Sequence, residues 1–151
     1  MILQGRLLID PHQLPKSGWL RVESGVITEL AFGDPPTTAD HGDKLTLITP
    51  GFIDAHLHLP QINAIGCDGL DLLKWLDDVI YPAEMRWSEQ TFAQRQTQLA
   101  FNQILRSGTL GFAAYGTSHP WAVACAEKAA QQLPMRCRVG QVLMDRSAPP
   151  E

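Results

Sequence analysis

Positive charge is not in surplus in this sequence: 12 Lys and Arg stand against 16 Asp and Glu, for a formal net charge of -4. A nucleic-acid binder neutralises phosphates with a basic surface, so no nucleic-acid partner is expected. Long apolar runs are also missing. Nothing approaches the ~18 consecutive apolar residues that a membrane helix requires, so no membrane partner is expected. The apolar start of MILQGRLLIDPHQ meets Arg6, Asp10 and Pro11 before a signal-type core can form. Cysteine is scarce: Cys67, Cys125 and Cys137 are odd in number and lack CxxC spacing. That argues against a disulfide framework and a thiolate zinc site, and it suits a reducing, cytoplasmic setting with each thiol as a small apolar side chain.

What is present is ordinary globular material. The chain has 151 residues, 44% apolar and 19% charged, enough to bury a substantial core. Residues 1–48 read as short strands broken at Pro11, Pro15, Gly18, Gly25 and Gly33, with Ser24-Gly25 as a hairpin turn. The polar, proline-rich stretch from Asp34 to Asp43 reads as a surface loop that carries a solvated His41.

From Leu45 the pattern changes. LTLITPGFIDAHLHL predicts one strand whose centre is buried on both faces. Leu72, Leu76, Val79 and Ile80 recur at helical spacing, with a stop near Pro82, and a second helix is predicted from a Ser88 N-cap to Ser107, closed by Gly108. TLGFAAYGT predicts a second buried strand, PWAVACAEKAAQQL a helix with Pro120 in its first turn, and MRCRVGQVLMD a third strand. Strand, helices, strand, helix, strand is the rhythm of a parallel α/β sheet.

Two of only five histidines, His56 and His58, sit one residue apart at the end of the first of these strands. Residues i and i+2 of a strand share a face, so the two imidazoles can converge on one point. Neutral imidazole is a favoured zinc ligand, and chemistry in parallel α/β folds gathers at the C-terminal strand ends. The spacing alone reads equally well as two strand-end histidines, one exposed and one hydrogen-bonded. Asp54, two residues earlier, reads either as an orienting carboxylate or as a turn acid.

The stretch PGFIDAHLHLPQ resembles the opening strand of the zinc amidohydrolase superfamily. HLHLPQ, LLKWLDDVIYPAEMRW, GTLGFAAYGTSHP and VLMDRSAPPE together resemble successive signatures of the guanine deaminases in it. The resemblance implies the first part of a TIM-type (β/α)8 barrel over residues 49–151, with about three βα units, preceded by part of a small β-sandwich over residues 1–48. It implies zinc held first by His56 and His58, and a purine lined by His58, Leu59, Pro60, Gln61 and His119. The Gln61 amide would offer a donor and an acceptor to the ring edge. Glu84 and Arg86 read as a local ion pair near the mouth.

The implied reaction is hydrolysis of a C–N bond, guanine and water giving xanthine and ammonia, in a cytoplasmic enzyme of purine catabolism whose relatives tend to form homodimers. The resemblance also implies that the general acid/base and the remaining metal ligands fall beyond residue 151, so the chain alone is expected to be marginally stable and inactive. The alternatives are another aminohydrolase of this superfamily, acting on a pyrimidine, pterin or triazine, or a short protein that binds metal or a partner without catalysis.

Overall fold

The computed structural model describes residues 1–133 and 135–144. The chain divides into two compact units, Met1–Pro50 and Gly51–Glu151. The part of the VLMDRSAPPE signature from Asp145 onward lies outside the described residues.

The first unit is a four-stranded sheet built from β1 (Ile2–Leu7), β2 (Lys16–Glu23), β3 (Val26–Phe32) and β4 (Leu47–Ile48), in the order β3-β2-β1-β4. β1, β2 and β3 pair antiparallel, while β4 joins β1 in parallel. The β2–β3 connection is the expected two-residue turn. Ser24 and Gly25 have φ of 50° and 79°, the left-handed pair that matches the strand twist of a tight hairpin. Ile2, Leu7, Trp19 and Leu20 are its buried apolar side chains. The polar stretch 34–43 is a loop held to β1, with the Gln4 N–H donating to the His41 carbonyl at 3.0 Å.

The second unit is a three-stranded parallel sheet, β5 (Phe52–His58), β6 (Thr109–Tyr115) and β7 (Arg136–Gly140), in that spatial order. Parallel pairing and the alternation with helices follow the sequence pattern. The predicted continuous strand from Leu45 does not form, because Pro50-Gly51 interrupts it: Leu47–Ile48 pairs in the first sheet and Phe52–His58 in the second. Nor is β5 buried on both faces, since it is an outer strand here and Phe52 and Ile53 are 59% and 69% exposed. Burial of a parallel strand needs neighbours on both sides.

Helix α1 (Leu72–Trp75) runs through a π-helical turn (Leu76–Ile80) into α2 (Tyr81–Met85), so Pro82 does not stop the helix as the pattern predicted. The Tyr81 N–H reaches back five residues to the Leu76 carbonyl. That wider turn lets a proline, which has no N–H, sit in the next helical turn. Helix α3 (Gln90–Arg106) is capped by Glu89, not Ser88, which lies in a short 3-10 turn instead. The Glu89 carboxylate accepts from the Thr91 and Phe92 N–H groups at 3.1 and 3.0 Å. Gly108, at φ 85°, closes α3 as expected. Helix α4 (Pro120–Gln132) opens on proline.

The core of this unit lies between the sheet and helices α3 and α4. Phe101 from α3 meets Phe112 from β6 edge-on at 5.2 Å, and Ala93, Ala100, Ala122 and Ala126 let the elements approach closely.

Candidate metal centre

The parallel register sets His58 opposite Tyr115, at the C-terminal ends of β5 and β6. Their rings stack with centroids 4.9 Å apart and planes at 30°, and the same Tyr115 ring meets His56 edge-on at 5.5 Å. His56 is exposed and His58 half-buried. Burial, then the neighbouring His56, hold His58 below the ordinary histidine pKa, and Glu84 works in the opposite sense. The neutral imidazole, the form that ligates a metal, is therefore favoured.

The imidazole centres of His56 and His58 are 5.2 Å apart. A zinc–nitrogen bond of about 2.05 Å, extended by about 1.1 Å to the ring centre, places two imidazoles on one tetrahedral ion roughly 5 Å apart. The pair thus fits two positions of one zinc. Among the described residues no cluster of three or more His, Cys, Asp or Glu side chains forms. Asp54 does not reach an imidazole; its Oδ1 accepts from the His56 backbone N–H at 3.1 Å, the turn-acid reading.

After β5 the chain enters a 3-10 turn, Leu59–Ala64. Leu59 and Pro60, expected to line a ligand, are buried, with Leu59 in the core. Their apolar side chains anchor the turn and leave Gln61 facing the histidines. Asn63 ties the same turn to α3, its Nδ2 donating to the Gln96 Oε1 at 2.9 Å. A cavity beside the pair is lined by His56, His58, Gln61, Ile62, Ile65 and Trp75 among others. The Trp75 indole N–H donates to the Cys67 carbonyl at 2.8 Å, which fixes the ring in that wall.

His119 stands apart from this cavity. It occupies the N-cap position of α4, its N–H donates to Thr117 Oγ1 at 3.1 Å, and its ring stacks on Trp121 at 5.2 Å. Among the described residues no side chain caps α4 itself. Glu84 and Arg86 do not pair either. Glu84 Oε1 accepts from Gln61 Nε2 at 2.9 Å, and the Arg86 guanidinium lies 4.3 Å from the Phe92 ring centre. Sequence reasoning missed Tyr115 and the role of Glu84. Tyr115 ends a strand one parallel register away from HxH, a signal readable only once the strand pairing is known.

The amidohydrolase family model matches residues 47–150, and the chain belongs to that family. Guanine deaminases are among its relatives. That of Escherichia coli K12 is 40% identical over 103 residues, covering 68% of this chain and 24% of the relative. The structure of E. coli guanine deaminase superposes with a TM-score of 0.75 at 28% identity, over 98% of this chain and 38% of that one. A 5-methylthioadenosine/S-adenosylhomocysteine deaminase of Thermodesulfovibrio yellowstonii is 31% identical over 139 residues, 86% of this chain and 30% of the relative. The chain thus spans about a quarter to a third of the length of these curated relatives. Each of these relatives is named as a deaminase. No helix among the described residues is long and apolar enough to cross a membrane.

Proposed function

We propose that this chain forms the opening part of a zinc-dependent guanine deaminase, which hydrolyses guanine to xanthine and ammonia. The observation that carries the reading is the His56/His58 pair, 5.2 Å apart at the C-terminal end of β5, beside a cavity with an apolar wall and one amide. In this reading His56 and His58 hold the metal, Gln61 meets the purine edge, and Ile62, Ile65 and Trp75 keep water from the ring faces. Zinc supplies Lewis acidity that activates water at neutral pH. A further carboxylate is needed to carry the proton to the departing ammonia. Leu59 and Pro60 anchor the turn that carries Gln61, and His119 stands outside the lining of the cavity. Residues 1–48 then belong to the small β-sandwich, and residues 49–151 to the start of the (β/α)8 barrel.

The 5-methylthioadenosine/S-adenosylhomocysteine deaminase likeness favours a second reading, a 6-aminopurine as substrate. Both are tested together. Zinc content and hydrolysis of guanine and of 5′-methylthioadenosine are measured on the purified chain and on the His56→Ala/His58→Ala variant. Zinc binding that disappears in the double variant supports the metal assignment, and zinc binding that survives rejects it. With two imidazoles and no third ligand cluster among the described residues, zinc binding is expected to be weak and turnover absent for the chain alone. Guanine turnover by the chain alone would overturn that expectation.

A further inference from the structure

Gln61 Nε2 lies 2.9 Å from Glu84 Oε1 and 3.1 Å from His58 Nδ1. A carboxylate only accepts hydrogen bonds, so the amide nitrogen of Gln61, and not its oxygen, must face Glu84. Glu84 Oε1 then accepts one amide hydrogen, and that bond by itself fixes which end of the amide faces the carboxylate; the contact to His58 Nδ1 is a bond only in the Nε2–H tautomer, the form in which His58 Nε2 does not ligate a metal. Among the described residues no donor reaches Gln61 Oε1, although Gln61 lines the cavity of about 230 Å³ beside the histidines. The amide is therefore not free to present either end to a ligand, as its chemistry in isolation allows.

We infer that Glu84 is a positioning residue that locks the Gln61 amide with its carbonyl oxygen free to accept, so this side of the cavity selects a ring edge that carries an N–H. Guanine offers such edges at N1–H and at its exocyclic amine. Helix α2 presents Glu84 just past the π-helical turn, so the irregular helix around Pro82 aims the carboxylate at the turn after β5. The ligand half of this inference rests on the purine reading above. The orienting half stands on the hydrogen bonds alone.

The test uses the 151-residue chain and three variants, Glu84→Gln, Glu84→Leu and Gln61→Leu. Gln61→Leu assigns the Gln61 side-chain amide signals in the ¹H–¹⁵N spectrum by their disappearance. Those signals are expected to move to the position of free glutamine amides in Glu84→Leu, and to broaden between two orientations in the shape-conserving Glu84→Gln. Signals unchanged in both variants overturn the lock, whatever the chain binds. Guanine is then titrated. Losing the oriented acceptor is expected to cost about tenfold in affinity in Glu84→Gln. In the Gln61→Leu background the same substitution should cost nothing further, because Glu84 acts through Gln61. Additive losses overturn the positioning role. Gln61 amide signals that move in the Glu84 variants while the wild-type chain binds no guanine keep the lock and overturn the selection of a purine edge by this chain.

Discussion

Tyr115 supplies what the two histidines cannot supply for each other: a flat surface against which both rings are held. Stacked on His58 at 4.9 Å and edge-on to His56 at 5.5 Å, it restricts both imidazoles before any ion arrives. A side chain that pre-orients ligands in this way acts on metal affinity through lost rotamer freedom. Tyr115→Leu is expected to weaken Co²⁺ or Zn²⁺ binding about tenfold, read by chelator competition. Tyr115→Phe keeps the ring and should stay near wild type. A loss in Phe as large as in Leu would move the role from the ring to the hydroxyl, and no loss in Leu would remove it. Gln61, by contrast, was legible as a ligand contact from its type and place. Which of its ends faces the cavity was not, because that depends on Glu84, 23 residues away on another helix.

At the scale of elements, the 17-residue α3 depends on a carboxylate at its N-terminus. The Thr91 side chain does most to lower the Glu89 pKa from its ordinary value of 4.5; desolvation comes next and raises it, and the Phe92 and Thr91 N–H groups and Arg95 lower it further. A depressed carboxylate pKa means that the unfolded chain binds the proton more readily. Glu89 thus stabilises the fold above pH 4.5, and its contribution fades as pH falls through the lower folded value. Urea unfolding of wild type and Glu89→Gln should therefore differ most near neutral pH and converge in acid. A gap that stays constant with pH would mean the charge is irrelevant to the cap. The serine before it is the commoner capping type, but Arg86–Ser88 is already wound into a 3-10 turn, so the first extended backbone position is Glu89.

For the whole molecule, stability in the second unit rests on one layer of contacts between sheet and helices. Phe101 is fully buried and meets Phe112 edge-on. Phe101→Ala opens a large cavity there and is expected to cost about 3–5 kcal/mol, measured by chemical denaturation with tryptophan fluorescence. A cost below about 1 kcal/mol would show that α3 and β6 collapse together and that the packing is loose. The other face of the sheet carries the histidines and Tyr115. Core and candidate site therefore lie on opposite faces of the same strands, as their alternating side chains require.

The sequence by itself determined the rhythm of strands and helices, the Ser24-Gly25 hairpin, the Gly108 stop and the HxH pair on one strand face. Each of these follows from local periodicity or from one residue's backbone preference. Only the tertiary structure decided that Leu59 turns into the core and Pro60 is buried beside it in the chain, that Tyr115 meets both histidines, that His119 stacks on Trp121, and that Glu84 takes Gln61 in place of Arg86. His119 and Trp121 are two residues apart and stack across the extended N-cap of α4, but for the other three the physical reason is common. Local preference places a side chain on a face of its own element, but its partner is chosen by strand register and helix packing, which join residues far apart in the chain.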